Sequence, residues 1–220
     1  MDCKSGFSWS LFAKMPVVGI MRMISCDLLL SVADIYCRNG FTTLEITVDS
    51  PGFDKALARC RASFQNKLNI GAGTVCCLKD LDRALEAGAQ FVVTPNVNKP
   101  VIKQCKVLGI PIMVGAFSPT EVYRAWKHGA SLVKLFPAGA LVPSYLNDLK
   151  SGPMSQVDFL PTGGITFENA TAYLAYGAKG IGVGSLLFDS ELIEKRDWDA
   201  LSIHFAQFSN LIREALNHHG

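Results

Sequence analysis

The sequence predicts an α/β chain folded as a single (β/α)8 TIM barrel, with a short helix capping its N-terminal side. Three observations carry that expectation. Short apolar runs rich in β-formers alternate with helical segments to the end of the chain. Helical segments stop at Gly40, Gly88, Gly109, Gly129 and Gly177, and each glycine leads into the next apolar run. No change of composition divides the 220 residues, so they read as one barrel domain over 1–220.

Taken in order, the first fifteen residues form a short amphipathic helix with Phe7, Leu11 and Phe12 on one side. That helix either plugs the barrel bottom or joins an interface. Strands are expected at 17–21, 42–48, 68–71, 90–94, 111–114, 131–136, 157–160 and 180–183. Helices are expected at 27–38, 54–64, 78–87, 99–107, 119–127, 144–150, 167–175 and 198–216. Each strand-like run is therefore followed by a helix, which is the pattern of a parallel sheet.

With 49% apolar and 18% charged residues the chain can fill a large core. A net charge of +2 without a basic run argues against nucleic acid and against an anionic membrane surface. The N-terminal stretch lacks the charged and apolar regions of a secretory leader, and no apolar run has the length of a membrane span. Seven cysteines, an odd number scattered through apparent core elements with no CxxC and no Cys/His zinc spacing, read as reduced thiols. The expected setting is the cytoplasm, with no metal.

Active sites of such barrels lie at the C-terminal ends of the strands. The most informative residue there is Lys134, inside the apolar run Ser131–Phe136. A lysine in a strand core loses its proton easily and becomes an amine nucleophile suited to Schiff-base chemistry. Period-2 alternation sends Val133 and Leu135 outward and Lys134 inward; it likewise turns Leu44, Ile46 and Val48 outward and Glu45 inward. Glu45 and Lys134 thus form a candidate acid–base and nucleophile pair across one pocket. Gly163-Gly164 and Gly184-Ser185 follow the last two strands, where exposed backbone N–H groups make an anion site. Arg22 ends the first strand and suits a carboxylate, Thr74 offers a hydroxyl, and Thr94-Pro95-Asn96 and Phe136 complete the rim.

These residues match a known pattern. LEIT around Glu45, GAGTV from Gly71, TPN from Thr94, SPTE from Ser118, KLFPA from Lys134, PTGGI from Pro161 and GVGS from Gly182 occur in order over nearly the whole chain. The chain resembles the class I aldolases that cleave 2-keto-3-deoxy-6-phosphogluconate, 2-keto-3-deoxy-6-phosphogalactonate or 4-hydroxy-2-oxoglutarate. The resemblance implies a cofactor-free enzyme, usually a homotrimer, acting on a small molecule and releasing pyruvate plus an aldehyde. It implies a carbinolamine and Schiff base on Lys134, proton shuttling by Glu45, carboxylate binding by Arg22 and Thr74, and phosphate binding by Gly163, Gly164, Gly184 and Ser185. Where the phosphogluconate enzymes often carry an arginine shortly after LExT, this chain has Val48-Asp49-Ser50-Pro51, which resembles the phosphogalactonate branch. Where the family usually has a proline before the glycine ending strand five, it has Val114 before Gly115. Two other readings keep the glycine turns: a sugar-phosphate epimerase or isomerase, and a non-enzymatic sugar-phosphate sensor. The epimerase or isomerase gives no role to a lysine facing a glutamate, and the sensor would bind phosphosugars without a covalent adduct to pyruvate.

Overall fold

A computed structural model describes residues 6–218. Seven parallel strands lie in the order β6-β5-β4-β3-β2-β1-β7. They are β1 (Val17–Met21), β2 (Thr43–Thr47), β3 (Asn69–Gly73), β4 (Val92–Thr94), β5 (Ile112–Ala116), β6 (Leu132–Leu135) and β7 (Ile181–Val183). Around them run α1 (Trp9–Lys14), α2 (Cys26–Arg38), α3 (Phe53–Ser63), α4 (Leu78–Glu86), α5 (Lys99–Leu108), α6 (Pro119–His128), α7 (Ser144–Lys150), α8 (Ala170–Ala175), α9 (Ser190–Glu194) and α10 (Trp198–His218).

The barrel closes between β6 and β7 through an irregular segment, where a full strand was expected at 157–160. Single parallel bridges join Val133 to Phe159 and Thr162 to Gly182. Leu160 N–H donates to Val133 O (2.8 Å), Thr162 N–H to Leu135 O (2.9 Å) and Gly182 N–H to Pro161 O (2.8 Å). Pro161 has no N–H to give, so a regular ladder stops there. The helix expected from 167 begins only at Ala170. Residues 167–169 form a turn that leads into it, with Asn169 accepting from Thr166 N–H (2.8 Å) and Ala170 N–H donating to Thr166 O (3.1 Å). The short α9 was not anticipated; Asp189 caps it by accepting from Leu192 N–H.

Strand alternation divides the core in two. Leu44, Ile46, Ile70, Ala72, Val114, Val133 and Leu135 pack outward under the helices. Val18, Phe91, Val93, Met113, Leu132 and Leu160 fill the barrel interior, and Phe7 and Phe12 join them from below. The described part of the N-terminal segment therefore plugs the barrel bottom, with its helix at Trp9–Lys14; the first five residues of the expected helix lie outside the described residues. Asn69 ties it in place, accepting from Ser8 N–H (2.8 Å) and donating to Ser8 O (2.9 Å). With its lower half filled, the barrel interior opens at the C-terminal ends of the strands.

Candidate active site

At that end lies a cavity of about 580 Å³. Lys134, Glu45, Arg22, Thr74, Pro95, Phe136, Gly163, Gly164, Gly184 and Ser185 all line it. Thr94 and Asn96 do not. Thr94 sits one residue out of phase with the inward Val93 and Pro95, and its hydroxyl donates to Asn96 O (2.8 Å) within the turn. Ile20, Thr47, Thr162, Ile165, Thr166, Gly182 and Leu186 complete the lining.

Lys134 is 7% exposed and Glu45 1%. Neither side chain is held in an ion pair within 4.0 Å among the described residues. No fully buried polar atom in the described chain lacks a partner, so their unpaired atoms open onto the cavity. Burial pushes the Glu45 carboxyl up, against the opposing pull of the Lys134 and Arg22 cations. It pushes the Lys134 ammonium down; Glu45 opposes this and Arg22 adds to it. Both shifts favour the neutral forms, the state in which the amine is a nucleophile and the carboxyl can give up a proton. The Lys134 ammonium group stands 4.9 Å from the centre of the Phe136 ring, an apolar neighbour without a competing charge.

Gly73 makes room for Glu45. It points inward from β3, and a Cβ there would overlap the Glu45 carboxylate. Two residues after LEIT comes Asp49, whose role no periodicity signals. Its carboxylate accepts from Arg22 Nη1 (2.8 Å), while Arg22 Nη2 donates to Thr74 Oγ1 (2.8 Å). Thr74 adopts φ +59°, a left-handed conformation that a β-branched residue rarely takes. Met23, also at φ +59°, donates its N–H to Ser50 Oγ (2.9 Å). The guanidinium is thus held at the rim between two loops, with donors left over for a carboxylate.

The two glycine turns border the same cavity, with Gly184-Ser185 following β7, the strand paired with β1. Gly163 and Gly164 have φ +82° and +75°, and Gly164 packs so closely on Gly139 that a Cβ would collide with its backbone. The N–H groups of Gly163, Gly164, Ile165, Ser185 and Leu186 find no acceptor among the described residues. Five unpartnered amides on one wall make a cradle for an anion. Among the described residues no group of three or more His, Cys, Asp or Glu is gathered to hold a metal.

Comparison with known proteins agrees with this geometry. The family model described as "KDPG and KHG aldolase" matches residues 10–203. The chain is 32% identical over 175 residues to the 2-dehydro-3-deoxy-6-phosphogalactonate aldolase of Escherichia coli (strain K12), covering 80% of this chain and 85% of that one. A solved structure titled "Native KDPGal structure" superposes with a TM-score of 0.85 at 30% identity, over 93% of this chain and 97% of the other. A KDPG aldolase from Legionella pneumophila, captured with pyruvate as a covalent carbinolamine, superposes at 0.83 with 28% identity, over 90% and 96%.

Proposed function

Since the chain belongs to the KDPG and KHG aldolase family, we propose that it is a class I aldolase using Lys134 as nucleophile and Glu45 as proton shuttle. Its substrate is a 2-keto-3-deoxy-6-phospho sugar acid of the phosphogluconate or phosphogalactonate type, with 4-hydroxy-2-oxoglutarate as a smaller alternative. The supporting observation is the pair itself: a buried amine and a buried carboxyl, each shifted toward neutrality, opening onto one cavity.

The Lys134 amine adds to the C2 ketone to give a carbinolamine, which loses water to form an iminium. Glu45 takes the C4 hydroxyl proton as the C3–C4 bond breaks, and the bond's electrons flow into the iminium to give an enamine. The aldehyde leaves. Glu45 returns its proton to C3, water hydrolyses the regenerated iminium, and pyruvate departs with the free amine restored. Arg22 and Thr74 bind the C1 carboxylate, Arg22 with the donors that Asp49 does not use. The turns at Gly163-Gly164 and Gly184-Ser185 receive the phosphate through their unpartnered amides. Pro95 and Phe136 shape the apolar side of the cavity.

The proposal includes a homotrimer in the cytoplasm. The family reading supports the trimer, and the free state of all six described cysteines suits a reducing compartment. Among the described residues no helix is long and apolar enough to cross a membrane. Light scattering on the purified protein tests the trimer. Pyruvate release from the two phosphorylated epimers and from 4-hydroxy-2-oxoglutarate tests the activity: the phosphorylated acids are expected to give the higher kcat/KM, and release from none of them would overturn the assignment.

A further inference from the structure

The two anion-binding turns are held in different ways. The first is fixed by its own neighbourhood: Asn169 donates to Gly164 O (2.9 Å) and accepts from Thr166 N–H (2.8 Å). The second, Gly184 to Phe188, is bent by Leu187 N–H and Phe188 N–H donating to Gly184 O (2.9 and 3.1 Å). Among the described residues it receives one side-chain hydrogen bond, from His204 on α10 to the carbonyl of Leu186. A carbonyl only accepts, so His204 carries its proton on Nε2.

That bond has a specific consequence. The peptide between Leu186 and Leu187 is gripped at both ends, its C=O by His204 and its N–H by Gly184 O. Holding that plane restrains the turn that carries the two preceding N–H groups, of Ser185 and Leu186, which have no protein acceptor among the described residues. The His204 ring also packs on the segment that follows the other turn. Phe167, three residues beyond Gly164, stands edge-on to it with ring centres 5.8 Å apart, and edge-on to Phe208 at 5.2 Å. One half-buried side chain from the last helix therefore touches the structures behind both halves of the cradle.

We infer that His204 is a positioning residue for phosphate, holding the Gly184–Leu186 turn so that its free amides meet a phosphate monoester on the substrate. The inference rests on the phosphate assignment made above. It assigns α10 a part in substrate selection, although none of its residues lines the cavity.

The test compares kcat/KM for a 2-keto-3-deoxy-6-phospho sugar acid with that for 4-hydroxy-2-oxoglutarate, in wild type, His204→Phe and His204→Gln. Phe keeps a ring against Phe167 but has no donor; Gln keeps a donor. The expected result is a ratio that falls about tenfold in His204→Phe, the worth of one well-placed hydrogen bond, and is largely restored in His204→Gln. A merely structural role would lower both substrates together in step with Tm and leave the ratio unmoved. Should His204→Phe fail to fold, His204→Leu serves as the second donor-free variant. A wild-type enzyme that discriminates while the donor-free variant discriminates equally overturns the role of His204 alone. A wild-type enzyme indifferent to the phosphate overturns the phosphate assignment and this role with it.

Discussion

Replacing Gly73 with alanine adds one methyl group at the wall behind Glu45. The backbone tolerates the change, because Gly73 is paired in register with Thr47 and is not among the positive-φ residues. The added Cβ, however, would overlap the Glu45 carboxylate and its Cγ. Non-bonded carbon contacts settle near about 3.5 Å, so the carboxylate must retreat by more than ~1 Å, a displacement that costs about 10²-fold in rate when it misplaces a reacting group. Overpacking costs about 1–3 kcal/mol of stability, a fall in Tm of roughly 2–12 °C for a domain of this size. The assay is steady-state pyruvate release beside a thermal melt. Gly152→Ala is the control, since the nearest atom to its added Cβ lies 3.9 Å away. A folded Gly73→Ala protein with wild-type kcat would refute the placing of proton transfer on Glu45.

Pyruvate adduct formation should rise with pH through the depressed pKa of Lys134 and be level above it, since only the neutral amine attacks. Arg22→Met removes a cation that adds to the depression, so the inflection moves up; Glu45→Gln removes the opposing charge, so it moves down. Trapping rates across pH check both directions. Arg22→Lys loses the fork between Asp49 and Thr74 and should raise KM for keto acids about tenfold, with little change in Tm because the side chain is 53% exposed. Tyr36→Phe should cost about 1–3 kcal/mol in urea unfolding, because its buried hydroxyl bridges Gly19 N–H (3.0 Å) and Thr43 O (2.9 Å). Lys134→Met should abolish the adduct yet raise Tm at neutral pH, since burial disfavours the charged lysine in the folded state.

Alternation along a strand made Glu45 and Lys134 legible: their neighbours are apolar and the period is two, so one parity faces helices and the other faces the cavity. The same parity accounts for Thr94, which points away while Pro95 points in. What periodicity could not carry was contact made to a loop from a distant part of the chain. Asp49 meets Arg22 across 27 positions, and His204 meets Leu186 across 18. Neither pairing has a spacing rule, because loops have no fixed period. The closing segment read as a strand from its apolar residues, but Pro161 limits it to isolated bridges. Alpha9, at five residues, is too short to show a helical repeat.

The central claim is covalent chemistry on Lys134. Incubating the protein with millimolar pyruvate, reducing with borohydride and reading the intact mass and then the labelled peptide tests it directly. The account predicts one pyruvyl adduct, on Lys134, absent in Lys134→Arg. No adduct, or an adduct on another lysine, would contradict it.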